Sequence, residues 1–262
     1  MPDRSLEGYA TWLVQQVGQT SERPVFIGLS APQGSGKTTA VRRLVPALET
    51  RGLRAAAISI DDFYLTHAEQ LALARAHPGN RILEHRGAPG THDIALGDAT
   101  LERLSRLGAG ETTKLPAYDK TAHGGRGDRA PEDAWPVARG PLDVVLLEGW
   151  CWAFHPVAEV ELPDPALVPV NASLAGYARW QRWVRALVAC RADRPESIVR
   201  WRVEAEAHAR AQGRPALDAA AAEDYIRRFL PVYAVYRDTV TRGPWDGRLL
   251  AVTLGAEDRL MI

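Results

Sequence analysis

The stretch Val25-Phe26-Ile27-Gly28-Leu29-Ser30-Ala31-Pro32-Gln33-Gly34-Ser35-Gly36-Lys37-Thr38-Thr39 decides how this chain is read. Its opening run, VFIGLS, is almost continuously apolar, the pattern of a strand covered on both faces. Residues 31–38 then follow the phosphate-loop pattern G-x-x-x-x-G-K-[ST], with Ala31 at a first position that needs only a small side chain. From Lys37 the sequence reads as a helix to residue 51, with Gly52 placed to cap it. Strand, turn and helix stand in the register the chemistry requires. Gly34 and Gly36 let backbone N–H groups converge on phosphate oxygens. The helix N-terminus adds partial positive charge. Lys37 can reach the β- and γ-phosphates, and the Thr38 hydroxyl can ligate Mg²⁺. Gly34, Ser35, Gly36, Lys37, Thr38 and Thr39 are therefore the expected nucleotide-binding set. The loop alone does not separate a kinase from a GTPase or a motor. No NKxD-type guanine loop is present, which makes ATP the expected nucleotide.

Working outward, four more short apolar runs read as buried strands, at 55–60, 143–149, 185–190 and 248–254. Helical stretches at 93–107 (ending at Gly108), 171–182, 195–212 and 218–240 (interrupted at Pro231) lie among them, and the N-terminal residues 1–18 read as an amphipathic helix. Strands alternating with helices predict an α/β protein with a parallel sheet and helices on both faces. No strong linker is visible, so residues 1–262 read as one domain. Two stretches, 77–92 and 116–136, are rich in Gly, Pro and charge. Structureless loops of that length inside a domain are usually functional or disordered. Both carry clustered polar and aromatic side chains, so they read as functional.

The totals exclude several function classes. Lys plus Arg and Asp plus Glu balance at 32 each, which argues against a duplex nucleic-acid partner. No apolar run approaches the roughly 20 residues of a membrane span. Cys151 and Cys190 do not form a CxxC pair and read as buried thiols at strand ends, in a reducing compartment. A cytoplasmic protein acting on a small molecule is the expectation. The seven histidines show no metal-ligand spacing, so nucleotide-bound Mg²⁺ is the single metal expected.

Two acids complete the phosphate site. The second strand runs into Asp61-Asp62-Phe63-Tyr64, and the third ends in Glu148-Gly149-Trp150. In a parallel sheet, residues at the carboxyl ends of strands face the ligand crevice. One carboxylate there can accept the proton of an attacking hydroxyl and another can serve the Mg²⁺ shell. Asp is also a common helix cap, and the residues alone do not choose between Asp61 and Asp62.

These segments, with Arg86-Gly87-Ala88-Pro89-Gly90-Thr91-His92-Asp93, Pro116-Ala117-Tyr118-Asp119-Lys120, Gly127-Asp128-Arg129, Trp135, the run Asn171 to Trp180, and Trp201-Arg202, resemble the family of pantothenate kinase, uridine kinase and phosphoribulokinase. The closer resemblance is to glycerate kinases of plant and fungal type, over about residues 24–235. It implies a P-loop NTPase fold with a five-stranded sheet, the Glu148 strand beside the phosphate-loop strand, and a helical lid at about 191–215. It further implies Asp61 as base, since that acid lies two residues before the Phe, and Glu148 at the metal beside Thr38, with Asp61 close enough to share it.

A glycerate-like acceptor needs cations or donors for its carboxylate. The loop candidates are Arg86, His92, Lys120, Arg126 and Arg129, with Tyr118 and Asp93 for hydroxyls. On the helix expected at 195–212, Arg202, Glu206 and Arg210 share a face; Arg202 is the expected contact to the transferring phosphoryl group. The activity expected is phosphorylation of D-glycerate to 3-phospho-D-glycerate. The alternatives are a kinase of the same fold acting on a nucleoside, pantothenate or a sugar phosphate, and an ATP-binding regulatory module without transfer chemistry.

Overall fold

In the computed structural model, which describes residues 4–245 and 248–260, the VFIGLS run is strand β1 (Val25–Ser30), with all its residues buried. Strands β2 (Ala55–Ser59), β3 (Val144–Gly149), β4 (Val184–Ala192) and β5 (Leu249–Leu254) complete a parallel five-stranded sheet in the order β2-β3-β1-β4-β5. The runs of β1, β3 and β4 belong to strands with a neighbour on each side, whereas the runs at 55–60 and 248–254, read as buried strands, are the two edges and are only partly buried. Edge strand β2 is mostly alanine and only partly buried. The register places the site: Leu29 pairs with Glu148, and Ser59 also pairs with Glu148. Glu148 therefore stands level with the last turn of chain before the phosphate loop, between it and the acids that follow β2.

Helices α1 (Leu6–Gly18), α2 (Lys37–Glu49), α3 (His67–Ala76), α4 (Ile94–Ser105), α5 (Val168–Gln181), α6 (Pro195–Ala211), α7 (Ala219–Arg227) and α8 (Leu230–Tyr236) accompany the sheet. Residues 1–3 of the N-terminal stretch lie outside the described residues. Helix α3 is not legible as an apolar stripe, because Gln70 is its one fully buried residue; its start is set by a capping box between Thr66 and Glu69. The expected helix over 218–240 is two helices. Pro231 sits in the first turn of α8, where its missing N–H costs nothing, so the proline opens a helix and does not kink one. The long 116–136 loop is partly ordered by a small antiparallel ribbon pairing Tyr118–Asp119 with Asp128–Arg129. No helix among the described residues is long and apolar enough to cross a membrane.

The core is unusually rich in tryptophan, with Trp150, Trp152, Trp180 and Trp201 fully or almost fully buried. Trp152 explains the glycine inside β1: a Cβ on Gly28 would lie 2.3 Å from the indole. At the opposite end of the sheet, Arg54 and Asp143 staple the starts of β2 and β3 through a bidentate pair, both contacts at 2.8 Å. Hydrogen bonds from Arg54 hold the Asp143 carboxyl down at about 2. Its unfolded value is about 3.9, so the pair's contribution to stability is complete above that value and is lost as pH falls toward 2. Asp143→Asn is expected to lower the urea midpoint at neutral pH, with the gap to the wild-type closing on acidification; denaturation series at several pH values check this.

Candidate active site

The phosphate loop is bent by two glycines in left-handed conformation, Gly34 (φ 77°) and Gly36 (φ 91°). Gly36 is the N-cap of α2 and offers no side chain to the first-turn N–H groups, which leaves those donors for an anion. The loop is braced from outside. The backbone of α6 passes so close that a Cβ on Gly34 would lie 2.6 Å from the Trp201 carbonyl carbon. The Leu260 N–H donates to the Ser35 carbonyl at 2.8 Å, and the Trp201 indole N–H donates to the Ala256 carbonyl at 2.9 Å. The Ser35 side chain is fully buried and donates back to the Pro32 carbonyl. Its part in the loop is to hold shape.

The acids converge on this loop. Glu148 is 2% exposed; its Oε1 accepts a hydrogen bond from the Thr38 hydroxyl at 2.9 Å, and its Oε2 is buried without a hydrogen-bond partner. Asp61 lies on a short 3-10 turn, Ile60–Phe63, directly after β2. Its Oδ1 accepts from the Tyr64 hydroxyl at 2.9 Å and its Oδ2 from the Lys120 ammonium at 2.5 Å. Burial opposes ionisation of Asp61, but the charges of Lys120 and Lys37 outweigh it and hold the carboxyl well below its ordinary range. Asp62 goes the other way. Burial, with the adjacent Asp61 charge, pushes it up to about 7, and it accepts the Tyr118 backbone N–H at 3.3 Å.

Between these groups lies a cavity of about 250 Å³. The phosphate loop forms one side of it, Asp61, Tyr64, Arg86 and Lys120 another, and Trp150, Arg202 and Tyr225 close it. A larger groove, about 790 Å³, lies between α2, β2 and the ribbon that pairs residues 112–114 with 137–139, and it holds none of these groups. The chemistry belongs to the smaller cavity, because that is where phosphate donors, an ionised carboxylate and cations meet.

The residues expected around the acceptor divide into two sets. Lys120 and Arg86 line the cavity. His92, Asp93 and Tyr118 do not; they stand behind Tyr64. His92 is 4% exposed, stacks on Tyr64 with ring centroids 4.5 Å apart, and bonds through Nδ1 to the Tyr177 hydroxyl at 2.6 Å. Burial pushes its pKa down to about 4, so the ring is neutral. Asp93 caps α4 through the Leu96 N–H and pairs with Arg129 at 3.0 Å. Tyr118 meets Tyr64 edge to face, with centroids 5.3 Å apart. A backbone bridge between Tyr64 and His92 folds the RGAPGTHD segment against the DDFY turn and sets the His92 ring on Tyr64. Arg86 reaches the cavity, but its guanidinium donates to the carbonyls of Gly125 (2.8 Å), Lys120 (3.2 Å) and Arg126. It thereby fixes the turn that carries Lys120. Arg202 pairs with Glu206 and lies over the Tyr225 ring, 5.2 Å from its centroid. Tyr64, Trp150 and Tyr225 are wall residues that the sequence reading did not assign. The first two sit inside the motifs quoted above, whereas Tyr225 lies in an alanine-rich helix with no motif around it.

Residues 26–162 match the family described as Phosphoribulokinase / Uridine kinase. The chain belongs to this family. An Arabidopsis thaliana protein named D-glycerate 3-kinase, chloroplastic, is 41% identical over 242 residues, covering 89% of this chain and 53% of its own length. The chain thus spans about half the length of that relative. The uncharacterized kinase mug58 of Schizosaccharomyces pombe is 32% identical over 231 residues, covering 84% of this chain and 83% of its own. Among solved structures, the D-glycerate 3-kinase from Cryptococcus neoformans var. grubii serotype A superposes with a TM-score of 0.89 at 26% identity, covering 97% of this chain and 96% of that one.

Proposed function

We propose that this chain is an ATP-dependent kinase that phosphorylates a small hydroxy acid, D-glycerate, at its 3-hydroxyl. The observation that carries the proposal is Asp61, held ionised by Lys120 and placed across one small cavity from the phosphate loop. A carboxylate in that place suits an alcohol acceptor, because it takes the hydroxyl proton as the phosphoryl group arrives. The cavity suits a compact acceptor, and Lys120 suits an anionic one. The names of the Arabidopsis and Cryptococcus relatives point to the same substrate.

In this reading the backbone N–H groups of Gly34–Thr39 and the Lys37 ammonium cradle the triphosphate. Arg202 meets the γ-phosphoryl group, and the α6–α7 hairpin is the lid that keeps water out. Magnesium is part of the proposal. The unpaired, buried Oε2 of Glu148 beside the Thr38 hydroxyl fits a hard cation that draws its remaining ligands from phosphate and water. Among the described residues no cluster of three or more His, Cys, Asp or Glu forms an all-protein cage, in keeping with such an ion. When bound, it neutralises charge on the β- and γ-phosphates. A cytoplasmic setting is proposed with it, supported by two free, buried thiols.

The test is ADP release with D-glycerate, L-glycerate, uridine and pantothenate as acceptors, with the phosphorylated position read by phosphorus NMR. D-Glycerate-dependent release yielding the 3-phosphate is the expected result. Transfer to uridine but not glycerate would move the chain to the nucleoside branch, and tight ATP binding with transfer to no acceptor would leave a regulatory module.

A further inference from the structure

The walls of the small cavity differ in what they are free to do. The phosphate loop, Asp61, Lys120 and Arg202 serve phosphoryl transfer to any acceptor. Tyr64 is tied to Asp61 by its hydroxyl and to His92 by stacking. Tyr225, on α7, has no such duty, yet it is fixed from several directions. The guanidinium groups of Arg202 (5.2 Å) and Arg228 (5.4 Å) both lie over its ring. Its edge packs on Phe229 at 5.3 Å, and its hydroxyl donates to the Arg86 carbonyl at 3.3 Å. Phe229 in turn occupies the space beside Gly87: a Cβ there would lie 2.6 Å from the Phe229 ring, and the residue has φ 140°. The α7 end of the hairpin is therefore seated on the Arg86–Gly87 segment, with the Tyr225 ring held by these contacts as cavity wall.

We propose that Tyr225 is the specificity-determining residue that sets the upper size limit of the acceptor. This rests on the reading of the chain as a kinase for a three-carbon hydroxy acid. A rigid aromatic wall excludes an added carbon by sterics, since the ring cannot swing away without breaking its contacts to both arginines and to Arg86. The residue acts on which acceptor enters; because its ring also touches Arg202, the readout is the ratio between acids and not the absolute rate.

The experiment compares kcat/KM for 2,3-dihydroxy acids of three, four and five carbons, with ATP, in the wild-type and in Tyr225→Phe, Tyr225→Leu and Tyr225→Ala. The wild-type is expected to lose about 10–200-fold at the first added carbon, the range for a methylene against a fitted pocket. In Tyr225→Ala the ratio of three- to four-carbon kcat/KM is expected to collapse by at least about 10-fold, with Tyr225→Leu intermediate and Tyr225→Phe close to wild-type. Thermal denaturation shows whether each variant folds, and should the alanine variant not fold, the leucine variant carries the comparison. A wild-type that takes the three-carbon acid, with variants that slow all acids alike and keep the ratio, overturns the size-limit role. So does a phenylalanine variant that shifts the ratio as far as alanine, which would put the effect on the hydroxyl and not the ring. A wild-type that turns over none of the acids sinks the proposed function first, and the two failures are thus told apart.

Discussion

Asp61→Asn is expected to lower turnover by about 10²–10⁴-fold, the usual worth of a positioned general base, while ATP affinity changes little. The substitution keeps shape and an oxygen for the Tyr64 hydroxyl, so the turn after β2 survives. It removes the negative charge that Lys120 holds ionised at 2.5 Å. Phosphoryl transfer passes through a loose transition state in which positioning counts for more than covalent help; a weakly basic carboxylate in the right place therefore suffices. Initial-rate measurements of ADP release, with ATP affinity from calorimetry, give the two numbers. Unchanged turnover would remove Asp61 from the role. Asp62 is the weaker candidate because it does not line the cavity and is engaged by the Tyr118 N–H.

Arg202→Met is expected to cost more, about 10³–10⁵-fold in turnover, the range for an arginine that meets the transferring phosphoryl group. The residue lies on α6 where that helix touches the phosphate loop at Gly34, and it lines the cavity. In this structure its charge is taken up by Glu206 and the Tyr225 ring; a γ-phosphate offers a stronger anionic partner. The variant loses the i,i+4 pair, worth about 0.2–0.5 kcal/mol, and the contact to the Tyr225 ring, worth about 0.5–1 kcal/mol, so a melting curve beside the rates separates loss of transfer from loss of fold. Arg202→Lys keeps the charge without the planar fork and should fall between the two. Turnover within a few-fold of wild-type in the methionine variant would take Arg202 out of the transfer step.

What the sequence discloses here follows from how far each signal reaches. The phosphate loop is legible because its chemistry is local: strand, glycines, lysine and helix are contiguous. The central strands are legible because two-sided burial leaves continuous apolar runs, as in β1 and β3, which are buried throughout. Asp61 and Glu148 are legible because strand tips in a parallel sheet share one crevice. The loop residues are another matter. His92, Asp93 and Tyr118 share motifs with the site yet do not line the cavity: a long-range backbone bridge sets His92 against Tyr64, Asp93 is taken up by the cap of α4 and by Arg129, and the ribbon through Tyr118 packs that ring on Tyr64. Arg86 reads as a ligand from its charge, but its donors are committed to carbonyls. Tyr225 carries no local mark at all; its role comes from where α7 lands on a segment distant in sequence.

The hydrogen bond from Leu260 to the Ser35 carbonyl has a bearing on biogenesis. β1 is made before its neighbours β3 and β4 and well before the segment that braces its loop. At roughly 5–20 residues per second, a nascent chain waits on the order of ten seconds or more before the brace exists. A phosphate loop braced by Trp201 and Leu260 takes its final shape only after the segments that carry them have been made, so strong nucleotide binding is expected to follow their synthesis.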